Sequence, residues 1–175
     1  RQRFVERAPS SGADAVILDL EDSMAPAEKP HARAAVAGVV RQVAEQHPQV
    51  FVRVNGLDTG LAEEDLYAAV GPGLAGISLP KAHDPETVRQ VDAYLTLLER
   101  VRGLPSGGIR LLLWIESAKG VLAVERTLGA SPRVLAACFG AEDYTADLGI
   151  VRRGHAGSGL GPHPHGGGLP RGRRA

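Results

Sequence analysis

The sequence predicts an α/β chain built on a parallel sheet. Three observations carry this. Five short apolar runs rich in β-branched residues recur about 23 to 35 residues apart, the spacing of βα repeats. Most of them are continuously apolar rather than alternating, as strands covered on both faces are. The segments between several of them carry helical periodicity.

The first strand is expected over residues 15–20 (AVILDL) and the second over residues 50–54 (VFVRV). Between them Val36, Val39, Val40 and Val43 repeat at helical spacing. The third strand is GISL, residues 76–79. A helix follows, opened by Asp84 as N-cap and Pro85 in the first turn, with Val88, Val91, Leu95 and Leu98 on one face. The fourth strand is LLLWI, residues 111–115. The next helix covers about residues 118–128 and stops at Gly129. The fifth strand is VLAACF, residues 134–139.

With 175 residues, the chain has room for one sizeable core. It has no apolar run of membrane-spanning length, and no signal-type opening is visible. One cysteine, Cys138, excludes an internal disulfide framework and a multi-cysteine zinc site, which fits a cytoplasmic location. Net charge is zero, but residues 1–151 hold fifteen basic and twenty acidic side chains, a net of −5. An acidic body argues against a nucleic-acid partner, and the lack of a span against a membrane one. Residues 152–175 hold eight Gly, three Pro, five Arg and no acid. Such a composition cannot bury enough surface to offset its ordering entropy, so this tail is expected to be disordered.

Polar groups fall where the apolar strands end. Asp19, Glu21 and Asp22 close the first, Arg53 and Asn55 the second, and Lys81 follows the third. Glu116 ends the fourth, and Glu142 and Asp143 follow the fifth. In a parallel barrel these ends share one rim, where catalytic groups gather. Carboxylates from different strands can meet on a hard cation such as Mg²⁺, and Arg53 supplies a planar donor fork for a carboxylate or carbonyl oxygen. A cation and an arginine facing a carbonyl form a site for stabilising an enolate or alkoxide.

The segments ADAVILDLEDSMAPAEKPHAR, FVRVNG, ISLPKAHDPETV, WIESAKGVL and FGAEDYTADLG occur in this order and together resemble the HpcH/HpaI aldolase and citrate lyase beta-subunit family. The resemblance runs from about residue 3 to residue 150. It implies a TIM barrel, here incomplete, with residues 1–151 as a partial lyase domain. It implies Mg²⁺ as cofactor and assembly as trimers or their multiples. The implied reaction makes or breaks a carbon–carbon bond. A 3-hydroxyacyl-CoA such as citryl-CoA, malyl-CoA or citramalyl-CoA would give acetyl-CoA and a 2-oxo acid, or the reverse. By the resemblance Glu116 and Asp143 are metal ligands, and Glu21 and Asp22 hold metal-bound waters. Arg53 binds the oxo-acid oxygens and stabilises the enolate, and Lys81 lies near the substrate. A pyruvate-type aldolase on free 2-oxo acids and a catalytically inactive fragment are the alternatives.

Taken singly, these residues also have structural readings. Glu21 and Asp22 suit an acidic helix start, Arg53 a structural ion pair, and Asp143 a helix N-cap. Glu116 follows five apolar residues and would be costly to bury unpaired. Trp114 and Cys138 read as core. His31, His47 and His83 read as solvated surface and Asp147 as a solvated helix residue. Gly140 reads as a turn or close approach. The resemblance also sets a first helix over residues 3–10, and the family's own pattern goes on past the point that residue 150 matches. When residues 154–175 are back-translated with G/C-favouring codons and shifted by one base, they allow GTPGLAWARTRMVVACRAAGV. That string resembles the family's continuation, so a frameshifted tail is the second expectation for residues 152–175.

Overall fold

The computed structural model describes residues 12–47 and 49–151. The expected first helix and the tail lie outside these residues. Five strands form one sheet: β1 (Val16–Asp19), β2 (Val50–Arg53), β3 (Gly76–Leu79), β4 (Arg110–Ile115) and β5 (Val134–Phe139). Their spatial order is their sequence order, and every neighbouring pair is parallel. A doubly wound sheet would reverse order at a switch point. This sheet winds in one direction only, as successive units of a βα barrel do.

The connections are helices α1 (Lys29–Ala44), α2 (Ala62–Ala69), α3 (Pro85–Arg102) and α4 (Ala118–Leu128), with short α5 (Ala141–Asp147) after β5. Helix α1 buries Val36, Val40 and Val43 and leaves Val39 half-buried. Helix α3 is capped by Asp84, whose Oδ1 accepts the Thr87 N–H at 3.0 Å, and it buries Val88, Val91, Leu95 and Leu98. Ser117 caps α4 by accepting the Gly120 N–H at 3.0 Å. Helix α2 adds an element the periodicity did not call for. Its first turn is acidic (Glu63, Glu64, Asp65), yet Asp65 is buried and accepts the Arg33 Nε–H at 2.7 Å.

The core lies between sheet and helices. Val52, Ile77, Leu111 and Leu113 are fully covered there. The opposite face of the sheet carries Asp19, Arg53, Ser78, Leu112 and Ala136, a single row by strand register. Along β4 burial alternates, with Leu112 and Trp114 half-exposed on that face. Leu135 and Phe139 of β5 and Leu122 of α4 are exposed apolar side chains. No helix among the described residues is long and apolar enough to cross a membrane.

A buried ion pair locks the far end of the sheet. Arg133 and Glu99 are only 4% and 1% exposed. Arg133 Nη1 and Nη2 donate to Glu99 at 2.6 and 2.7 Å, and its Nε donates to Asp92 at 2.6 Å. Burial pushes the Glu99 carboxyl up, but the Arg133 hydrogen bonds and the amides of Ile109 and Gly107 bring it below its ordinary range. Breaking a buried pair by removing one partner strands the other charge. Arg133→Ala is therefore expected to cost about 3–5 kcal/mol, read from a urea or thermal melt against wild type.

Candidate active site at the strand C-termini

The site begins with register. Asp19 and Arg53 are partners across β1 and β2, so their side chains leave the same face at the same height. Arg53 donates to Asp19 through Nε (2.8 Å) and Nη2 (2.6 Å), a bidentate pair. Its Nη1 faces the start of the loop after β1, 3.2 Å from Glu21 and 3.4 Å from Asp22. The guanidinium carbon lies 5.8 Å from the centre of the Trp114 ring, and the Trp114 indole N–H is fixed by Ser78 Oγ at 2.8 Å. The Asp19 carboxylate also accepts from the Glu21 amide (2.9 Å) and from the Ser23 hydroxyl. Thus Asp19 anchors the arginine from below while Trp114 flanks it.

Glu116 follows β4 directly and is 7% exposed. Its Oε1 accepts the Lys81 backbone N–H at 2.7 Å. Gly140 approaches it from the end of β5: a Cβ there would meet Glu116 Oε2 at 2.6 Å and its Cβ at 2.7 Å. That close approach brings the start of α5, and with it Asp143, beside Glu116. The Asp143 carboxylate lies in the first turn of α5, whose N-cap position is held by Gly140. The Lys81 ammonium is 3.8 Å from Asp58 at the site's margin.

The electrostatics follow from this crowding. Burial pulls the Asp19 carboxyl upward, but hydrogen bonds from Arg53, Ser23 and the Glu21 amide win and bring it to about 2. Burial and then the Asp22 charge push Glu21 up to about 7, against the pull of Arg53; Glu116 and Asp19 add to the rise. Glu116 is raised by burial and by the Asp143 charge, although the Lys81 amide and Arg53 act the other way. Arg53 is raised further above its ordinary value by its bond to Asp19. The cluster thus holds more negative charge than Arg53 balances. Among the described residues no three His, Cys, Asp or Glu side chains converge on one point; the acids stand as Glu21 with Asp22 and Glu116 with Asp143.

These shifts fix a pH dependence. A carboxyl whose folded value lies above its ordinary one makes the folded state the better proton binder, so stability falls as pH rises through the gap. For Glu21 the gap runs from 4.5 to about 7. For Asp19 the sign is opposite: its contribution is present above 3.8 and lost as pH falls towards about 2. In the absence of divalent cations, melting temperature is expected to peak near pH 4.5 and decline to pH 7. Glu21→Gln should flatten that decline in a series of thermal melts.

The residues expected to act at the rim, Glu21, Asp22, Arg53, Lys81, Glu116 and Asp143, lie at or just after strand ends on this one edge. Asp19, counted with the rim but given no role, turns out to hold the arginine. Trp114 is not core but flanks the site, and Cys138, its register partner on β5, is only half-buried. His47 is buried, donating through Nε2 to the Ala13 carbonyl at 2.6 Å, and His83 shares a 2.6 Å hydrogen bond with Ser117 Oγ; neither is a solvated surface group. Asp147 is exposed, but its carboxylate accepts the Ala118 N–H at 2.8 Å. Apart from Asp19, whose place at a strand end marked it, these contacts join residues about thirty positions apart and leave no local signal.

The chain is similar to known proteins along most of its length. The model of the HpcH/HpaI aldolase/citrate lyase family matches residues 1–158. The citrate lyase subunit beta of Leuconostoc mesenteroides subsp. cremoris is 35% identical over 145 residues, which is 83% of this chain and 48% of that protein. The L-malyl-CoA/beta-methylmalyl-CoA lyase of Rhodobacter capsulatus is 35% identical over 161 residues, 90% of this chain and 50% of that protein. A solved citrate lyase beta subunit from M. tuberculosis, complexed with oxaloacetate and magnesium, superposes with a TM-score of 0.63 at 29% identity, covering 89% of this chain and 60% of that one. The chain spans about half the length of the two lyases it matches by sequence. On the family match and on relatives at this level of identity, the chain belongs to the HpcH/HpaI aldolase/citrate lyase family.

Proposed function

We propose that this chain carries the enolate-stabilising half of a Mg²⁺-dependent carbon–carbon lyase acting on a 3-hydroxyacyl-CoA. The observation that carries the reading is the Arg53 fork, anchored by Asp19 and facing the carboxylates of Glu21, Asp22 and Glu116 at one strand edge. The donor set fits a hard divalent ion, which is commonly bound through one or two protein carboxylates. Glu116 is buried and repelled by Asp143, and among the described residues its Oε2 accepts no hydrogen bond. Glu116 and Asp143 would hold Mg²⁺, with Glu21 and Asp22 orienting its waters. When bound, the ion would chelate the 2-oxo acid and offset the charge that develops as the bond breaks.

The remaining steps belong to the chain's own residues. In cleavage, the hydroxyl carbon becomes the carbonyl of the 2-oxo acid and loses its O–H proton. The electron pair of the broken carbon–carbon bond passes to the thioester as an enolate, which takes up a proton to give acetyl-CoA. Arg53 Nη1, the nitrogen not committed to Asp19, is the donor for an oxygen that gains charge in this step. Glu21, with its carboxyl near 7, can hold or release a proton beside it. A homo-oligomer, the trimer or multiple that the family resemblance implies, and a cytoplasmic setting suited to one unpaired Cys138 belong to the same proposal.

The test is release of acetyl-CoA from malyl-CoA, citramalyl-CoA and citryl-CoA with Mg²⁺, against release of pyruvate from free hydroxy-oxo acids. Thioester cleavage supports the reading, and cleavage of the free acids alone replaces it with the aldolase. The exposed Leu135, Phe139 and Leu122 favour one further reading, a fragment that binds but does not turn over. A melt that does not respond to Mg²⁺ and oxaloacetate, with precipitation on concentration, would select it.

A further inference from the structure

Lys81 stands out by its backbone. Apart from glycines, it is the sole described residue in the left-handed region, at φ +50°. Side chains with a Cβ rarely adopt this conformation, and residues held in it cluster where function over-determines them. Here the surroundings do so. The β3–β4 ladder ends at Leu79 and Leu113. Beyond it the chain passes through the left-handed conformation at Lys81, and the Ala82 N–H meets the Trp114 carbonyl at 3.1 Å. His83 N–H donates to the Lys81 carbonyl at 2.8 Å, and the His83 ring is tied to Ser117 Oγ at 2.6 Å. The product of this turn is one bond to the site: Lys81 N–H to Glu116 Oε1 at 2.7 Å. The ammonium points elsewhere, 3.8 Å from Asp58 and 38% exposed.

We propose that Lys81 is a positioning residue acting through its backbone: its left-handed turn aims the residue-81 N–H at Glu116 and fixes that carboxylate for a divalent cation, while the ammonium is dispensable for cation binding. This rests on the lyase reading above in taking Glu116 as a ligand. A residue that keeps the turn should keep the carboxylate in place whatever its charge. Glycine adopts positive φ without a Cβ penalty and asparagine tolerates it, whereas a β-branched side chain resists it.

The experiment measures Mn²⁺ affinity, with the metal alone, for the full chain and for Lys81→Gly, Lys81→Asn and Lys81→Val. Lys81→Gly and Lys81→Asn are expected to bind within about twofold of wild type, and Lys81→Val about tenfold more weakly. Equal loss in all three overturns the proposal in favour of the side chain, and so does Lys81→Val binding as wild type does. If wild type itself binds no Mn²⁺, the lyase reading falls too; if wild type binds and the variants do not follow this order, only the backbone role falls. Amide exchange at residue 81 gives a second readout that does not depend on Lys81→Val folding. Exchange should be slow in wild type and Lys81→Gly and fast in Glu116→Ala. Fast exchange in wild type overturns the proposal.

Discussion

Glu116→Gln is expected to make the cation-free protein more stable and to abolish its response to Mg²⁺. Both effects arise from one buried carboxylate. Burial and the Asp143 charge hold the Glu116 carboxyl above its ordinary value, so at neutral pH its ionised form is a cost to the fold. Glutamine is nearly isosteric and keeps an oxygen for the Lys81 N–H, but it removes that charge and the repulsion with Asp143. The melting temperature without cations should therefore rise at pH 7, and rise less as the pH is lowered, because the raised Glu116 carboxyl takes up a proton more readily than an ordinary one. With cations the order reverses. A ligand at a hundred times its Kd adds about 2.7 kcal/mol to wild type, on the order of 5–10 °C for a domain of this size. Glu116→Gln should show none of that rise. On the proposed lyase reading, acetyl-CoA release should fall by at least about a hundredfold, more than the usual cost of disturbing a group that merely orients a ligand. A variant that keeps the Mg²⁺-dependent shift would remove Glu116 from the ion and leave it as a buried structural acid.

How much of this arrangement the sequence discloses depends on the range of the interaction. The run VFV that opens β2 is readable because burial on both faces demands an unbroken apolar stretch, and all three of its residues are buried. The Asp84 cap and the apolar face of α3 are likewise local patterns. The rim is readable for a related reason: a parallel sheet delivers every strand end to one edge, so charges at those ends must meet. What the sequence conceals is the pairing among them. Asp19 and Arg53 are 34 positions apart, and only the β1–β2 register makes Asp19 rather than Glu21 the bidentate partner. Trp114 looks like core in the string LLLWI, but strand alternation turns it, with Leu112, to the face that the helices do not cover. Helix α2 is hidden because its buried Asp65 breaks the apolar stripe, and its compensating partner, Arg33, sits in α1.

Arg53→Lys separates geometry from charge at the centre of the site. If a positive charge were all the reaction needed, lysine would serve. Arg53, however, uses three of its nitrogens in fixed directions: Nε and Nη2 are committed to Asp19, and that commitment turns Nη1 outward to Glu21 and Asp22. A lysine ammonium cannot make both bonds to Asp19 and still present a directed donor to a developing oxyanion. Loss of one such donor costs about 10²–10³ in kcat, so Arg53→Lys should lose about that much in acetyl-CoA release with little change in substrate KM. Asp19→Asn should do similar damage although it never meets the substrate, because it frees the fork to collapse onto Glu21. The double variant should be scarcely worse than either single one, since both break the same unit. Trp114, the chain's single tryptophan, gives a check independent of turnover, as its ring lies beside the guanidinium. Its fluorescence should change in both single variants and respond to oxaloacetate in wild type alone. Additive losses in the double variant, or a decline within about threefold for Arg53→Lys, would mean that Asp19 and Arg53 act separately and that charge alone suffices.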